Sequence, residues 1–427
     1  MTTTEQRTPP TLPPDAAADV LATGSAIDPY PTYDRLRRDY PVAELAGMVT
    51  LFRYTDVAAL LRHPQVSSDD RNSTLHQSLV AEDKLTPASL SQMDDQSFLH
   101  RDPPEHTRLR KLVAQGFTAR RIAGLRSFVQ RTVDDAVTAA VDGRLELVGE
   151  LAYPLPIEVI CELLGIPAED RPFVASWPRA QLCCSFEAGS LAAGQKAAVD
   201  NRRQVEADRL QQQLTDYFAL LIERRRGTPG DDLVSALLAA QEHGGRLSVA
   251  EVNAILRLLF VAGYENAVNL IGHGVLALLR HPDQWAALRE DPALAGAAVD
   301  EALRFDAPFQ FIRRVTLTDL DIGGYRIRRG QHVIAWLAAA NRDPAQFPDP
   351  DRFDIRRRGN HHLGFGSGIH ACLGGPLARM EAEIVFTTLT RRLVQPRLKI
   401  DPPAYRSDVF RSLAELPITI DGVREPA

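Results

Sequence analysis

Ten residues near the end of the chain concentrate side chains able to do chemistry: Phe365-Gly366-Ser367-Gly368-Ile369-His370-Ala371-Cys372-Leu373-Gly374. One cysteine is framed by glycines, an aromatic ring and a basic residue, and an amphipathic helical pattern follows at once. Glycines let a backbone turn tightly and approach a flat ligand closely, and they leave amide N–H groups able to point at sulfur. A helix starting at Cys372 adds its positive end, which favours thiolate over thiol. Phe365 is placed to cover the sulfur against water, and His370 to reach an acidic group on the ligand's edge. The frame reads as a thiolate site for iron; the plainer alternative is an apolar cysteine buried in a Gly-rich turn.

A second constellation is Ala262-Gly263-Tyr264-Glu265-Asn266, inside a long helical pattern. A glycine there costs roughly 1 kcal/mol against alanine, which implies that something packs where its Cβ would be. Glu265 can carry a proton, whereas the Asn266 amide donates and accepts hydrogen bonds without relaying protons by ionising. Further on, Glu301 and Arg304 are three apart and share a helix face. Such a pair on its own is most often a solvated surface ion pair.

The loop F-G-x-G-x-H-x-C-x-G resembles the haem-binding loop of the cytochromes P-450, and the resemblance runs from about Asp28 to the C-terminus. It implies a haem b cofactor with Cys372 as axial ligand to the iron, and a bound haem in the space that Gly263 leaves free. In that family the central helix reads Ala/Gly-Gly-x-Glu/Asp-Thr, with acid and hydroxyl supporting proton delivery during oxygen activation. Glu265 keeps the acid, but Asn266 stands where the threonine belongs. Asn266 then holds a relaying water, binds substrate, leaves the missing bond to a substrate group, or is only a polar packing residue.

The resemblance also implies cations on the haem propionates. Asp102-Pro103-Pro104-Glu105-His106 through Arg110 resembles the start of a propionate-binding helix, with His106 and Arg110 one turn apart. Arg314 aligns as a further partner, with Arg313 beside it as the weaker candidate, and His370 completes the set. Glu301-Ala302-Leu303-Arg304 with Asp351-Arg352-Phe353 resembles the family's buried Glu-Arg-Arg cluster, a structural lock. Residues expected above the haem are Phe309, Gln310 and Phe311, then Val409 and Phe410. Three aromatics there imply a pocket for flat substrates, with Gln310 orienting a polar group, unless the rings are plain core.

The elements that must position these groups are mostly helical from Pro104 onward. Ser248-Val249-Ala250-Glu251 is a capping box, and an unbroken apolar pattern then runs to His281-Pro282, a rod of about thirty residues or on the order of 45 Å. Strands are expected near Val49 to Phe52 and over Leu320 to Ile327, the latter turning at Gly323-Gly324. Tracts at Ser67 to Ser97 and Ser185 to Ala198 lack a clean period and are expected as loops over a pocket. The fold class is therefore mainly α with small β-sheets. The family's version is a triangular-prism helical domain holding haem between the long central helix and the cysteine-loop helix. Residues 1–20, rich in Thr and Pro at the start, are expected as a mobile segment and 21–427 as one haem-thiolate domain.

With 44% hydrophobic and 24% charged residues, the 427-residue chain can bury a large core. A net charge of −6 is too small and too mixed to imply nucleic acid or a membrane surface. Cys161, Cys183, Cys184 and Cys372 show no disulfide framework, Cys183 and Cys184 read as small core residues, and a cytoplasmic location is expected. Met1 to Asp15 holds no apolar run long enough for a signal peptide or membrane span, so neither is expected there. The implied activity is a haem-thiolate monooxygenase or oxidase using dioxygen and two electrons from a ferredoxin and ferredoxin reductase. Its implied role is tailoring a natural product by hydroxylation or by ring closure or aryl coupling of an indole or phenol. The donor is expected to dock beneath Cys372 on Arg379, Arg391 and Arg392. Rivals are a haem-binding sensor without turnover and a zinc-stabilised module using His361, His362, His370 and Cys372.

Overall fold

The computed structural model describes residues 7–23, 26–81, 97–140, 143–177, 201–242, 247–406 and 411–426. Seven helices matter for the site: α1 (Pro14–Ala22), α2 (Glu105–Ala114), α3 (Ala119–Thr138), α4 (Val249–Ala262), α5 (Glu265–Arg280), α6 (Ala295–Phe305) and α7 (Gly375–Arg392). The main sheet uses β1 (Val42–Leu45), β2 (Met48–Leu51), β3 (Val66–Ser67), β4 (Ile312–Thr316) and, after the two-stranded hairpin β5 (Leu320–Ile322) and β6 (Tyr325–Ile327), β7 (His332–Ala335). Its order is β1-β2-β7-β4-β3, with only β2 and β7 parallel. The β5–β6 turn is made by Gly323 and Gly324 at φ +61° and +83°, a left-handed pair that glycine adopts without strain.

α7 lies at the centre of the larger core and packs against α3, α5 and α6. Gly274 on α5 makes that approach possible, because a Cβ there would collide with the Phe386 ring of α7. The sheet, α1 and the N-terminal segments form two further apolar clusters. Residues 7–20 do not form the expected mobile segment. Leu12, Ala16 and Val20 are buried against Tyr33 and Leu36, and the Leu12 and Glu44 amides exchange backbone bonds with Glu44 and Pro10.

The central rod also differs from expectation. Its capping box is present, with Ser248 Oγ accepting from the Glu251 amide at 3.1 Å and the Ser248 amide donating to Glu251 Oε2 at 2.6 Å. The helix is nevertheless interrupted at Gly263 and Tyr264. The amides of both Ala267 and Val268 donate to the Tyr264 carbonyl as the ladder resumes. Buried Tyr264 anchors the break by donating its hydroxyl to Tyr153 at 2.6 Å. Residues 249–280 contain an 18-residue stretch apolar and long enough to cross a membrane, but two thirds of that stretch is buried in the protein, as a core helix is.

Of the two tracts expected as pocket loops, 185–198 and 82–96 lie outside the described residues, as do Cys183, Cys184, Val409 and Phe410. The start of the earlier tract is ordered structure, ending in a helix at Thr74–Ala81.

Candidate active site

The cysteine loop is built by backbone geometry before any side chain acts. Gly366 and Gly368 have φ +70° and +75°, and a Cβ on Gly368 would run into the Leu61 carbonyl, so only glycine fits there. The Cys372 amide closes the loop on the Phe365 carbonyl at 2.8 Å. Its sulfur receives the amides of Gly374 and Gly375, with Arg110 nearby. α7 begins at Gly375, three residues after the cysteine rather than at it. Those amides and Arg110 pull the thiol pKa down, but burial is the larger effect and the net shift is upward. The Cys372 side chain is reachable by solvent although protein atoms crowd around it. The Phe365 ring packs on the Gly375 backbone, where a Cβ would lie 3.7 Å away.

Beside the loop lie two arginines, Arg110 and Arg314, and two histidines, His106 and His370, with Asp102 and Asp70 as the nearby carboxylates. His106 is 2% exposed, and both of its ring nitrogens are buried with no hydrogen-bond partner among the described residues. Its ring lies 4.2 Å from that of His370, whose Nε2 is 3.0 Å from Ser68 Oγ. Arg110 donates to the Ala371 carbonyl and Arg314 Nη1 to the Arg313 carbonyl at 2.8 Å. Arg313 itself is bound to Asp70. Among the described residues no carboxylate forms an ion pair with Arg110 or Arg314. Burial lowers Arg314 to about 10, and burial with Arg314, His106 and Arg110 pushes His370 down to about 3. Crowded cations and an orphaned buried imidazole make an anion site, and the two carboxylates on the edge of a haem fit it.

On the central rod, Val261, Ala262 and Gly263 are exposed between buried Phe260 and Tyr264. The space a Gly263 Cβ would need is taken by the Leu259 carbonyl, at 2.6 Å, with Ile160 at 3.4 Å, so this glycine has a local packing reason within the protein. Glu265 is buried; its Oε1 accepts from Ser412 Oγ at 2.6 Å and from Arg406 at 3.4 Å. Among the described residues its Oε2 has no hydrogen-bond partner, and neither has Asn266 Oδ1.

A family model described as Cytochrome P450 matches residues 199–402. The chain is 40% identical to the cytochrome P450 monooxygenase PikC of Streptomyces venezuelae, over 95% of this chain and 94% of that protein. It is also 40% identical to the vitamin D(3) 25-hydroxylase of Pseudonocardia autotrophica, over 92% and 94% respectively. The ligand-free structure of Mycobacterium smegmatis CYP164A2 matches with a TM-score of 0.85 at 39% identity, covering 95% of this chain and 100% of that one. The chain is a cytochrome P450. It is therefore a haem-thiolate oxidoreductase, and bacterial cytochromes P450 typically take electrons from a ferredoxin and its reductase and act on small molecules.

Several site expectations need correction within this P450 frame. The buried lock is Glu301, Arg304 and Arg357, not Arg352. Arg304 binds Glu301 with two bonds of 2.8 Å, and Arg357 Nε lies 3.2 Å from both carboxylate oxygens. Arg352 gives only its backbone carbonyl, its side chain being 66% exposed. Gln310 is 2% exposed with its amide engaged at both ends: Tyr33 donates to Oε1 at 2.9 Å, and Nε2 donates to the Ala307 carbonyl at 2.6 Å. It is a core residue, not a substrate contact. Phe311 packs on Trp336, and Phe309 packs against the sheet cluster. Arg392 is buried on Asp134 and Arg379 is paired with Asp300, which leaves Arg391 as the exposed member of the expected docking patch. No group of three or more His, Cys, Asp or Glu able to hold a metal ion occurs among the described residues, contrary to the zinc-module rival. Sequence reasoning missed Ser412, Arg406, Ser68 and Arg357; only the arginine-rich run 356–358 offered a signal, and it does not single out one arginine.

Proposed function

We propose that this cytochrome P450 hydroxylates a C–H bond of a secondary metabolite in the cytoplasm, using dioxygen and two electrons from a ferredoxin and ferredoxin reductase. The observation that carries the reading is the pairing of solvent-reachable Cys372 with Arg110, Arg314 and a buried His106 whose ring nitrogens have no hydrogen-bond partner among the described residues. Relatives named as PikC monooxygenase, as the 6-deoxyerythronolide B hydroxylase of Saccharopolyspora erythraea and as the polyketide biosynthesis protein PksS of Bacillus subtilis support a polyketide-sized substrate and hydroxylation. Haem, when bound, supplies oxygen activation at its iron. Cys372 Sγ ligates that iron, with the Gly374 and Gly375 amides favouring the thiolate. His106, Arg110, Arg314 and His370 hold the propionates, and Phe365 shields the sulfur from water. Glu265 carries protons at Oε2, and Asn266 accepts a hydrogen bond at Oδ1 where the family's hydroxyl would relay one.

Ring closure or aryl coupling is a second reading, favoured by Asn266 alone. With Gln310 inside the core and Phe311 on Trp336, the aromatic-pocket support for it is reduced. The test is turnover with a ferredoxin system on macrolactones and on indole- or phenol-bearing peptides. A macrolactone product heavier by one oxygen supports hydroxylation. A peptide product lighter by two hydrogens overturns it in favour of coupling. In parallel, Cys372→Ala must abolish the strongly red-shifted Soret band of the ferrous carbon monoxide form, and a retained band would remove Cys372 as the ligand.

A further inference from the structure

Helix α5 presents a stripe of four residues, Glu265, Asn269, Gly272 and His273, spaced to lie on one face. All four meet the same C-terminal segment. Ser412 touches Glu265 and Asn269; Leu413 packs where a Gly272 Cβ would come within 3.2 Å; and His273 Nε2 lies 3.0 Å from the Arg411 carbonyl. The segment is itself braced. The Arg406 amide donates to the Ser412 carbonyl at 2.8 Å, the Ala414 amide to the Ala404 carbonyl at 2.9 Å, and Tyr405 pairs with Leu413. Arg406 and Ser412 are thus cross-strand neighbours, and both reach the same oxygen of Glu265.

The bonds at Ser412 have a direction. Asn269 Nδ2 is only a donor, so at 3.1 Å it occupies a lone pair of Ser412 Oγ. The single hydroxyl hydrogen is then left for Glu265 Oε1, 2.6 Å away. An oxygen that already receives this hydrogen, with the Arg406 guanidinium beside it, does not also take up a proton. Among the described residues no hydrogen-bond partner meets Oε2, which is the oxygen able to do so, with the Tyr264 hydroxyl near the carboxylate. We propose that Ser412 is the positioning residue of Glu265: with its polarity set by Asn269 and with Arg406 in support, it pins Oε1 and confines the movable proton to Oε2. The proposal deepens the reading of Glu265 as proton carrier and rests on it.

The test uses the haem-loaded protein and two kinds of measurement. In the resting ferric state without turnover, the Glu265 carboxylate stretch is identified by infrared difference against Glu265→Gln. Ser412→Ala should shift that band, because the carboxylate loses its closest donor. Ser412→Thr, which keeps the hydroxyl, should restore it, and Asn269→Leu should shift it in the direction of Ser412→Ala by freeing the hydroxyl to rotate. During turnover, Ser412→Ala should raise the ratio of peroxide to product roughly tenfold, the order expected for losing one charge-assisted bond, with Ser412→Thr again near the parent. An unmoved band in both Ser412→Ala and Asn269→Leu overturns the proposal while leaving the role of Glu265 intact. A parent-like peroxide ratio in Glu265→Gln overturns the reading of Glu265, and the proposal with it. Should Ser412→Ala lose its thiolate-type carbon monoxide band through misfolding, Asn269→Leu and Ser412→Thr decide by the same infrared criterion.

Discussion

Replacing Arg357 by leucine and, separately, Arg352 by alanine tests which arginine completes the buried lock. Glu301 and Arg304 are fully buried, so no water can replace a partner that is removed. Arg357 places its Nε 3.2 Å from each Glu301 oxygen and donates through its other nitrogens to the carbonyls of Pro348, Asp349 and Arg352 at 2.6, 3.0 and 2.9 Å. In Arg357→Leu the carboxylate keeps both Arg304 bonds, the Asp354 amide at 2.8 Å and Asn360 at 3.1 Å, so it is weakened but not orphaned. The loss should fall at the low end of the range for breaking a buried pair, about 3 kcal/mol. The exposed Arg352 side chain has one ionic neighbour, Asp354 at 3.9 Å, and its removal should cost about 0.5 kcal/mol or less. The difference corresponds to roughly a hundredfold in the folded-to-unfolded ratio. Urea unfolding followed by circular dichroism, with haem content measured alongside, reads both variants. Equal destabilisation by the two, or a larger effect from Arg352→Ala, would refute the assignment.

Removing two propionate cations together, Arg110→Ala with Arg314→Ala, should weaken haem retention by about 3 kcal/mol or more, measured as transfer to apomyoglobin; unchanged transfer kinetics would mean these arginines do other work. Burial, followed by Arg110, lowers the His106 pKa below its usual value. The unfolded chain therefore takes up that proton first, and His106 makes the cofactor-free protein lose stability as pH falls below about 6.5. Bound propionates favour the protonated ring, so the haem-loaded protein should show a shallower decline, and parallel slopes in urea titrations across that range would contradict the anion-site reading. Arg391→Glu should slow electron transfer from an acidic ferredoxin and flatten its dependence on salt. Arg392→Ala should instead lower stability, because Arg392 is bonded to Asp134 and Thr138 inside the protein; the reverse pattern in stopped-flow and unfolding measurements would reject this division.

The parts of the site that were legible in the sequence are those whose partners are close along the chain. The cysteine loop packs its glycines, aromatic, cation and ligand into ten residues, and each has a local reason visible in the structure, such as the left-handed turns at Gly366 and Gly368. The capping box and the Gly323-Gly324 hairpin are local in the same sense. Gln310 is the counterexample. Its place in the core depends on a hydroxyl 277 residues away on Tyr33, and nothing in Phe309-Gln310-Phe311 distinguishes a substrate contact from that bond. Arg357 fails for a related reason: four arginines lie between 352 and 358, and only the folding back of residues 348–360 decides which one reaches Glu301.

The break in the central helix combines both cases. Gly263 marks a weak point from sequence alone, but the helix parts there because Tyr264 is drawn to Tyr153 and the glycine sits against the Leu259 carbonyl and Ile160. Immediately beyond it come Glu265 and Asn266, about 100° apart around the helix. Glu265 falls on the stripe gripped by the C-terminal segment, and Asn266 falls off it. Each keeps one buried oxygen that no donor among the described residues meets. A threonine in place of Asn266 would bring a hydroxyl able to fill such a need by donating; the amide carbonyl cannot, and adds a second acceptor beside the first. Among the described residues no donor meets either oxygen, so the hydrogen each takes up comes from the proton that Glu265 carries or from what binds above the haem, and Asn266 ties the departure from the family pattern to that supply.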